Sequence, residues 1–89
     1  MFALVLWGGK IEGQMPGVRL CEIESYSMTP HGYFVQGRTI NATTGTKTKV
    51  VRQFSPNEVV KVFRSGVKPG KTSCRSALVK FVKTGTQVF

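Results

Sequence analysis

The 89-residue chain contains no aspartate, a single histidine (His31) and only the glutamates Glu12, Glu22, Glu24 and Glu58. Paired carboxylates for glycosidic chemistry, acidic clusters for divalent cations and Ser-His-Asp arrangements therefore lack their parts, and an enzyme is not expected. Cysteine is scarce too: Cys21 and Cys74 together with His31 fall short of the four ligands of a structural zinc site and show no Cys-x-x-Cys spacing. No metal or other cofactor is expected. Two cysteines also make no dense disulfide framework, so both read as packed thiols, although Lys71 and Arg75 beside Cys74 would favour its thiolate. Long apolar runs are missing. Met1 to Trp7 is continuously apolar but has no basic flank and stops at Gly8-Gly9-Lys10, too short for a membrane span or a secretory signal. Asn41-Ala42-Thr43 fits the glycosylation sequon, a pattern short enough to arise by chance. These absences predict an intracellular protein, cytoplasmic or nuclear, with no membrane span.

What the chain does have is cations. Thirteen lysines and arginines against four acids give a net charge of +9, and the surplus is unevenly placed. From Arg38 onward there are eleven cations and the single acid Glu58, about +10 by difference, whereas residues 1–37 are near neutral. Such self-repulsion calls for a negative partner: nucleic acid first, an acidic protein surface second. An anionic membrane ranks third, because the basic segments do not form one long amphipathic helix with bulky anchors. A chain of this length builds one hydrophobic core, hence a single small basic domain over residues 1–89. Free strand edges on so small a core make a homodimer a further expectation.

Strand signals dominate the first half. Phe2 to Trp7 suits a central strand buried on both faces, followed by a glycine-bracketed connection through Gly13-Gln14-Met15-Pro16-Gly17. Val18 to Ser25 alternates as a second strand, Thr29-Pro30-His31-Gly32 reads as a turn, and Tyr33 to Ile40 as a third strand. The loop Asn41 to Gly45 leads into Thr46 to Phe54, read as the other arm of a hairpin, with Lys47 and Lys49 on one face and Arg52 on the other. Ser55-Pro56-Asn57-Glu58 satisfies the capping box, predicting a helix of up to three turns through Val59, Val60, Val62 and Phe63, with Gly66 as its C-terminal cap. Ser73 to Lys83 carries the helical stripe Ala77, Leu78, Phe81 and Val82 but also alternates; helix is the preferred reading. Gln87-Val88-Phe89 can pack or add an edge strand. The fold class is mainly β with one or two short helices (α+β): a small antiparallel sheet or an SH3-like barrel followed by a capped helix.

Gly66-Val67-Lys68-Pro69-Gly70-Lys71-Thr72 superficially resembles a phosphate-binding loop, but its glycine spacing is one residue short and no aspartate exists to hold magnesium, so a nucleotide site is rejected. The same stretch through Arg75 could still dock a backbone phosphate, helped by free amides if Thr72 or Ser73 caps the next helix. Exposed rings beside cations suit base stacking, with Tyr26, Tyr33 and Phe34 as candidates; Trp7, Phe54, Phe63 and Phe81 read as core. The expected function is non-enzymatic binding of DNA or RNA through phosphate contacts drawn from the pool Arg38, Lys47, Lys49, Arg52, Lys61, Arg64, Lys68, Lys71, Arg75, Lys80 and Lys83, with Tyr33 as a stacking residue. The alternative is a small protein-interaction module or inhibitor that docks on an acidic or nucleic-acid-binding surface of a larger partner.

Overall fold

A computed structural model describes residues 1–7 and 17–88, with Trp7 described through its backbone. The glycine-bracketed connection, the core placement of the Trp7 side chain and the terminal Phe89 lie outside the described residues. Among the described residues six strands form one antiparallel sheet: β1 (Phe2–Trp7), β2 (Gly17–Thr29), β3 (Gly32–Thr39), β4 (Arg52–Phe54), β5 (Val59–Arg64) and β6 (Thr86–Gln87), in spatial order β4-β3-β2-β1-β5-β6. A 3-10 turn (Pro56–Glu58) precedes β5, and one helix, α1 (Arg75–Lys83), precedes β6. The sheet is open. Of the two expected architectures the antiparallel sheet stands, and closure into a barrel does not, since among the described residues β4 and β6 are the outer strands and do not pair with each other.

β1 is continuously apolar because it is central and covered on both faces. Ala3 and Val5 join Cys21, Tyr33, Val35, Phe54, Val59 and Val62 in one buried cluster. On the opposite face Phe2 joins Leu20, Ile40, Phe63 and Phe81, with Leu4, Leu78 and Val82 packed alongside. Phe81 brings α1 onto this second face: its ring sits edge-on to Phe2 at 5.4 Å and to Phe63 at 5.9 Å. The first face needs no helix because the sheet curls over it. β3 and β5, with two strands between them in the sheet order, approach each other across that face, and the 3-10 turn packs on both β3 and β1. The bend comes from β2, whose first part pairs with β1 and second part with β3, with an irregularity between Ile23 and Ser25 that increases the local twist. Close approach at this bend requires a glycine in β3, because a Cβ on Gly37 would overlap the carbonyl oxygen of Glu22.

The helix expected from Ser55 is the main correction to the sequence reading. The capping chemistry does form: the Ser55 amide donates to Glu58 Oε1 at 3.1 Å and the Ser55 hydroxyl donates to the same oxygen at 2.8 Å. Only one 3-10 turn follows. Val59-Val60-Lys61-Val62-Phe63 is rich in β-branched residues, and it pairs with β1 instead, placing Val59 and Val62 on the curled face and Phe63 against α1. A cap contributes on the order of 1 kcal/mol, less than burying three large side chains at about 1.5–3 kcal/mol each. Gly66 accordingly lies in a loop and caps nothing. Thr46 to Phe54 is mostly not strand either, being reduced to an Ile40–Lys47 bridge and the short β4. The preferred helix at Ser73 to Lys83 forms from Arg75, with Cys74 rather than Thr72 or Ser73 at its N-cap position. The C-terminal edge strand is present as β6, continued by a hydrogen bond from the Val88 amide to the Val62 carbonyl at 2.8 Å.

Candidate nucleic-acid interface

Two long connections, residues 40–51 between β3 and β4 and residues 65–74 between β5 and α1, meet at one end of the sheet. The first is built by Asn41, whose Oδ1 accepts the amides of Thr43 at 2.9 Å and Thr44 at 3.1 Å. The Asn41 amide donates to the Thr46 carbonyl at 2.8 Å, and the Gly45 amide donates to the Asn41 carbonyl at 2.7 Å. Gly45 turns the chain at φ +75°, where a side chain would be strained. The second connection is pinned to the first by the Thr72 amide, which donates to the Ala42 carbonyl at 2.7 Å, and Gly70 lies directly against Gly45.

Between these loops and the sheet end lies an open groove of about 590 Å³. Its cations are Arg38 from β3, Lys47 and Lys49 from the first loop and Lys68 from the second. The hydroxyl residues Thr46, Thr48 and Ser65 line it as well, and Glu22 from β2 is its only acid among the described lining residues. Lys47 Nζ donates to Glu22 Oε1 at 3.3 Å, while Arg38 Nε donates to Glu24 Oε1 at 2.8 Å. Lys49 and Lys68 make no ion pair among the described residues, so their charge is offered to solvent.

The remaining nominated residues lie elsewhere. Arg75 joins Lys80 and Lys83, with Ser76 and Val79, along a shallow hollow on the outer face of α1. Lys71 is exposed in the loop before it. Lys61 is half-buried opposite Leu4, Arg64 is exposed opposite Thr86 at the end of β5, and Arg52 is half-buried opposite Gly37. Tyr33 is placed differently from the expectation: it is 6 % exposed, within the core cluster of the curled face, and its ring surface is occupied by packing that includes Tyr26 at 5.6 Å. Tyr26, 49 % exposed, is the more accessible ring of the pair. Phe54, Phe63 and Phe81 are core as expected.

The cysteines diverge. Cys21 is buried on the curled face, and its thiol is pushed up to about 12 by burial, with the charges of Glu22 and Glu24 adding to the effect. Cys74 is free and exposed, which corrects its reading as a packed thiol. Its pKa is lowered first by the hydrogen bond with the Ser76 hydroxyl, 3.3 Å away, and then by the Ala77 amide, rather than by Lys71 and Arg75.

Glu22 and the hydroxyl residues of the groove were not nominated from the sequence. Their only sequence signal is a polar face on β2 and a threonine-rich loop, and neither shows that the two segments meet. No helix among the described residues is long and apolar enough to cross a membrane. No protein-family model matches the chain, and neither the curated proteins nor the solved structures contain a significant match.

Proposed function

We propose that this is a non-enzymatic nucleic-acid-binding domain that holds the phosphate backbone in the groove between residues 45–49 and 65–69. The observation that supports it is the convergence of Arg38, Lys47, Lys49 and Lys68, drawn from three separate segments, on one concave surface. Arg38 and Lys47 are partly balanced by Glu24 and Glu22, whereas Lys49 and Lys68 have no carboxylate partner among the described residues, and a polyanion would neutralise that remaining charge. The hydroxyls of Thr46 and Ser65, each paired with another hydroxyl in a contact where either side can donate, add neutral donors of the kind that commonly contact phosphate oxygens.

Fluorescence anisotropy with labelled 20-nucleotide single strands and duplexes, titrated at several salt concentrations, tests the reading. Binding should weaken steeply with salt. Reversing Lys49 and Lys68 together to Glu should lower affinity at least about tenfold and, on single strands, flatten the log-log salt slope by about 1.4, at roughly 0.7 per phosphate contact. Absence of binding at physiological salt, or a slope unmoved by the double reversal, would overturn it.

The second reading, docking on an acidic surface of a larger protein, draws on a different place. The outer face of α1 presents Arg75, Lys80 and Lys83 around Val79, which is 43 % exposed, with no acid among the described lining residues. Partner binding that survives the Lys49/Lys68 reversal but fails on reversing Lys80 and Lys83 would favour it.

A further inference from the structure

Glu22 is the anomaly of the groove. A surface evolved only to neutralise phosphates gains nothing from a carboxylate at its wall, where it repels the ligand and competes for Lys47. The Glu22–Lys47 pair is well exposed, with side chains 37 % and 51 % accessible, so it contributes little to folding. Lys47 Nζ lies 3.3 Å from Oε1, an oxygen that keeps a second lone pair for another donor, and Oε2 has no hydrogen-bond partner among the described residues. A carboxylate with accepting capacity on both oxygens, flanked by cations on both sides of a groove, is an acceptor site set among candidate phosphate sites.

Resting on the nucleic-acid reading of the groove, we propose that Glu22 reads the Watson–Crick edge of an unpaired guanine in a single strand. Guanine alone among the common bases presents two adjacent donors on that edge, N1–H and N2–H, which match the two oxygens of one carboxylate. Adenine and cytosine each place an acceptor nitrogen beside their single amino group, and uracil flanks its one N–H with two carbonyls; each sets an acceptor against the second carboxylate oxygen. In a duplex the guanine edge is occupied by its partner base, so the readout requires a single strand. Lys49 and Lys68 then take the flanking phosphates. Arg38 contributes through its terminal nitrogens, since its Nε is engaged by Glu24.

The test compares 12-nucleotide single strands built from UUG, UUA, UUC and UUU repeats, together with a strand in which inosine replaces guanine. The guanine strand should bind about tenfold tighter than the others, the difference of one good hydrogen-bonded pair to a charged group. Inosine, which lacks N2–H, should fall between guanine and adenine, a measurement on the unaltered protein. In Glu22→Ala the guanine advantage should shrink to within about twofold while the other strands bind as well or better, because a negative charge has left the groove. Equal affinity for all strands, inosine equal to guanine, or a guanine preference that survives in folded Glu22→Ala would overturn the assignment and leave the phosphate groove intact. Failure of every strand to bind would remove the groove reading and this assignment together.

Discussion

The sheet with its helix and the pair of loops at its end are held by different forces. The sheet is held by apolar contact on both faces: Ala3, Val5, Val35 and Val62 on the curled side, Phe2, Leu20, Phe63 and Phe81 under α1. The loops contribute few core residues and are held by main-chain hydrogen bonds around Asn41, the Thr72–Ala42 link and the contact of Gly45 with Gly70. Apolar packing has no dependence on charge, whereas the groove brings Arg38, Lys47, Lys49 and Lys68 together on one surface. Separating the two lets the domain carry four cations on one surface without threading them through its core. Stability and binding should therefore respond to different substitutions.

Phe63→Ala should have the largest effect, because the side chain is fully buried between Phe2 and Phe81 and its loss opens a cavity beneath the helix. A loss of about 3–5 kcal/mol is expected in urea denaturation, enough to leave a domain of this size partly unfolded. Binding would fall with it. A smaller and more selective effect is expected of Gly45→Ala, which forces a side chain into φ +75° and presses it to 3.0 Å from the Gly70 carbonyl carbon. The cost should be about 1–2 kcal/mol. Here groove affinity should fall further than the stability loss explains, since the turn positions Lys47 and Lys49. Gly70→Ala is the matched control, because a Cβ there meets nothing within 4 Å. A binding loss in Gly45→Ala no larger than its stability loss explains, or one matched by Gly70→Ala, would mean that the loops do not position the groove independently of the sheet.

The same distinction governs what was legible in the sequence. β1, β2 and β3 were readable because each satisfies one local rule, an apolar run or an alternation bounded by turn residues, and α1 was readable from Ala77, Leu78, Phe81 and Val82. β5 was not, because Ser55 to Glu58 carries a true local start signal whose continuation is decided by a partner strand more than fifty residues earlier in the chain. The even distribution of cations over residues 38–89 gave the pool but no subset. Which four share a surface depends on Gly45 meeting Gly70, a contact with no sequence signature. Tyr33 illustrates the opposite error: half-apolar strand residues are equally suited to core and to stacking, and the curl of the sheet, set by β2, places it inside.

The effect confined to alkaline pH, and the one that separates the regions most directly, is in the two thiols. Cys21 belongs to the curled face and Cys74 to the end of the second loop. In the native protein Cys74 should be alkylated at a pH below that of an ordinary cysteine, and Ser76→Ala should return it toward the ordinary value, since the hydroxyl is the leading cause of the shift. Groove binding should be unaffected by that modification, because Cys74 does not line the groove. Cys21 should stay unreactive until unfolding. Its thiol is raised from 9.0 to about 12 in the fold, so the neutral form is favoured there. The associated stability is fully present below pH 9.0 and is lost as pH climbs toward about 12, because the unfolded chain releases the proton first. The slope of unfolding free energy against pH should be steeper in the wild type than in Cys21→Ala by up to about 1.4 kcal/mol per pH unit over that window. Identical slopes in the two proteins would mean that the curled face admits water and that the apolar side of the comparison is weaker than its packing implies.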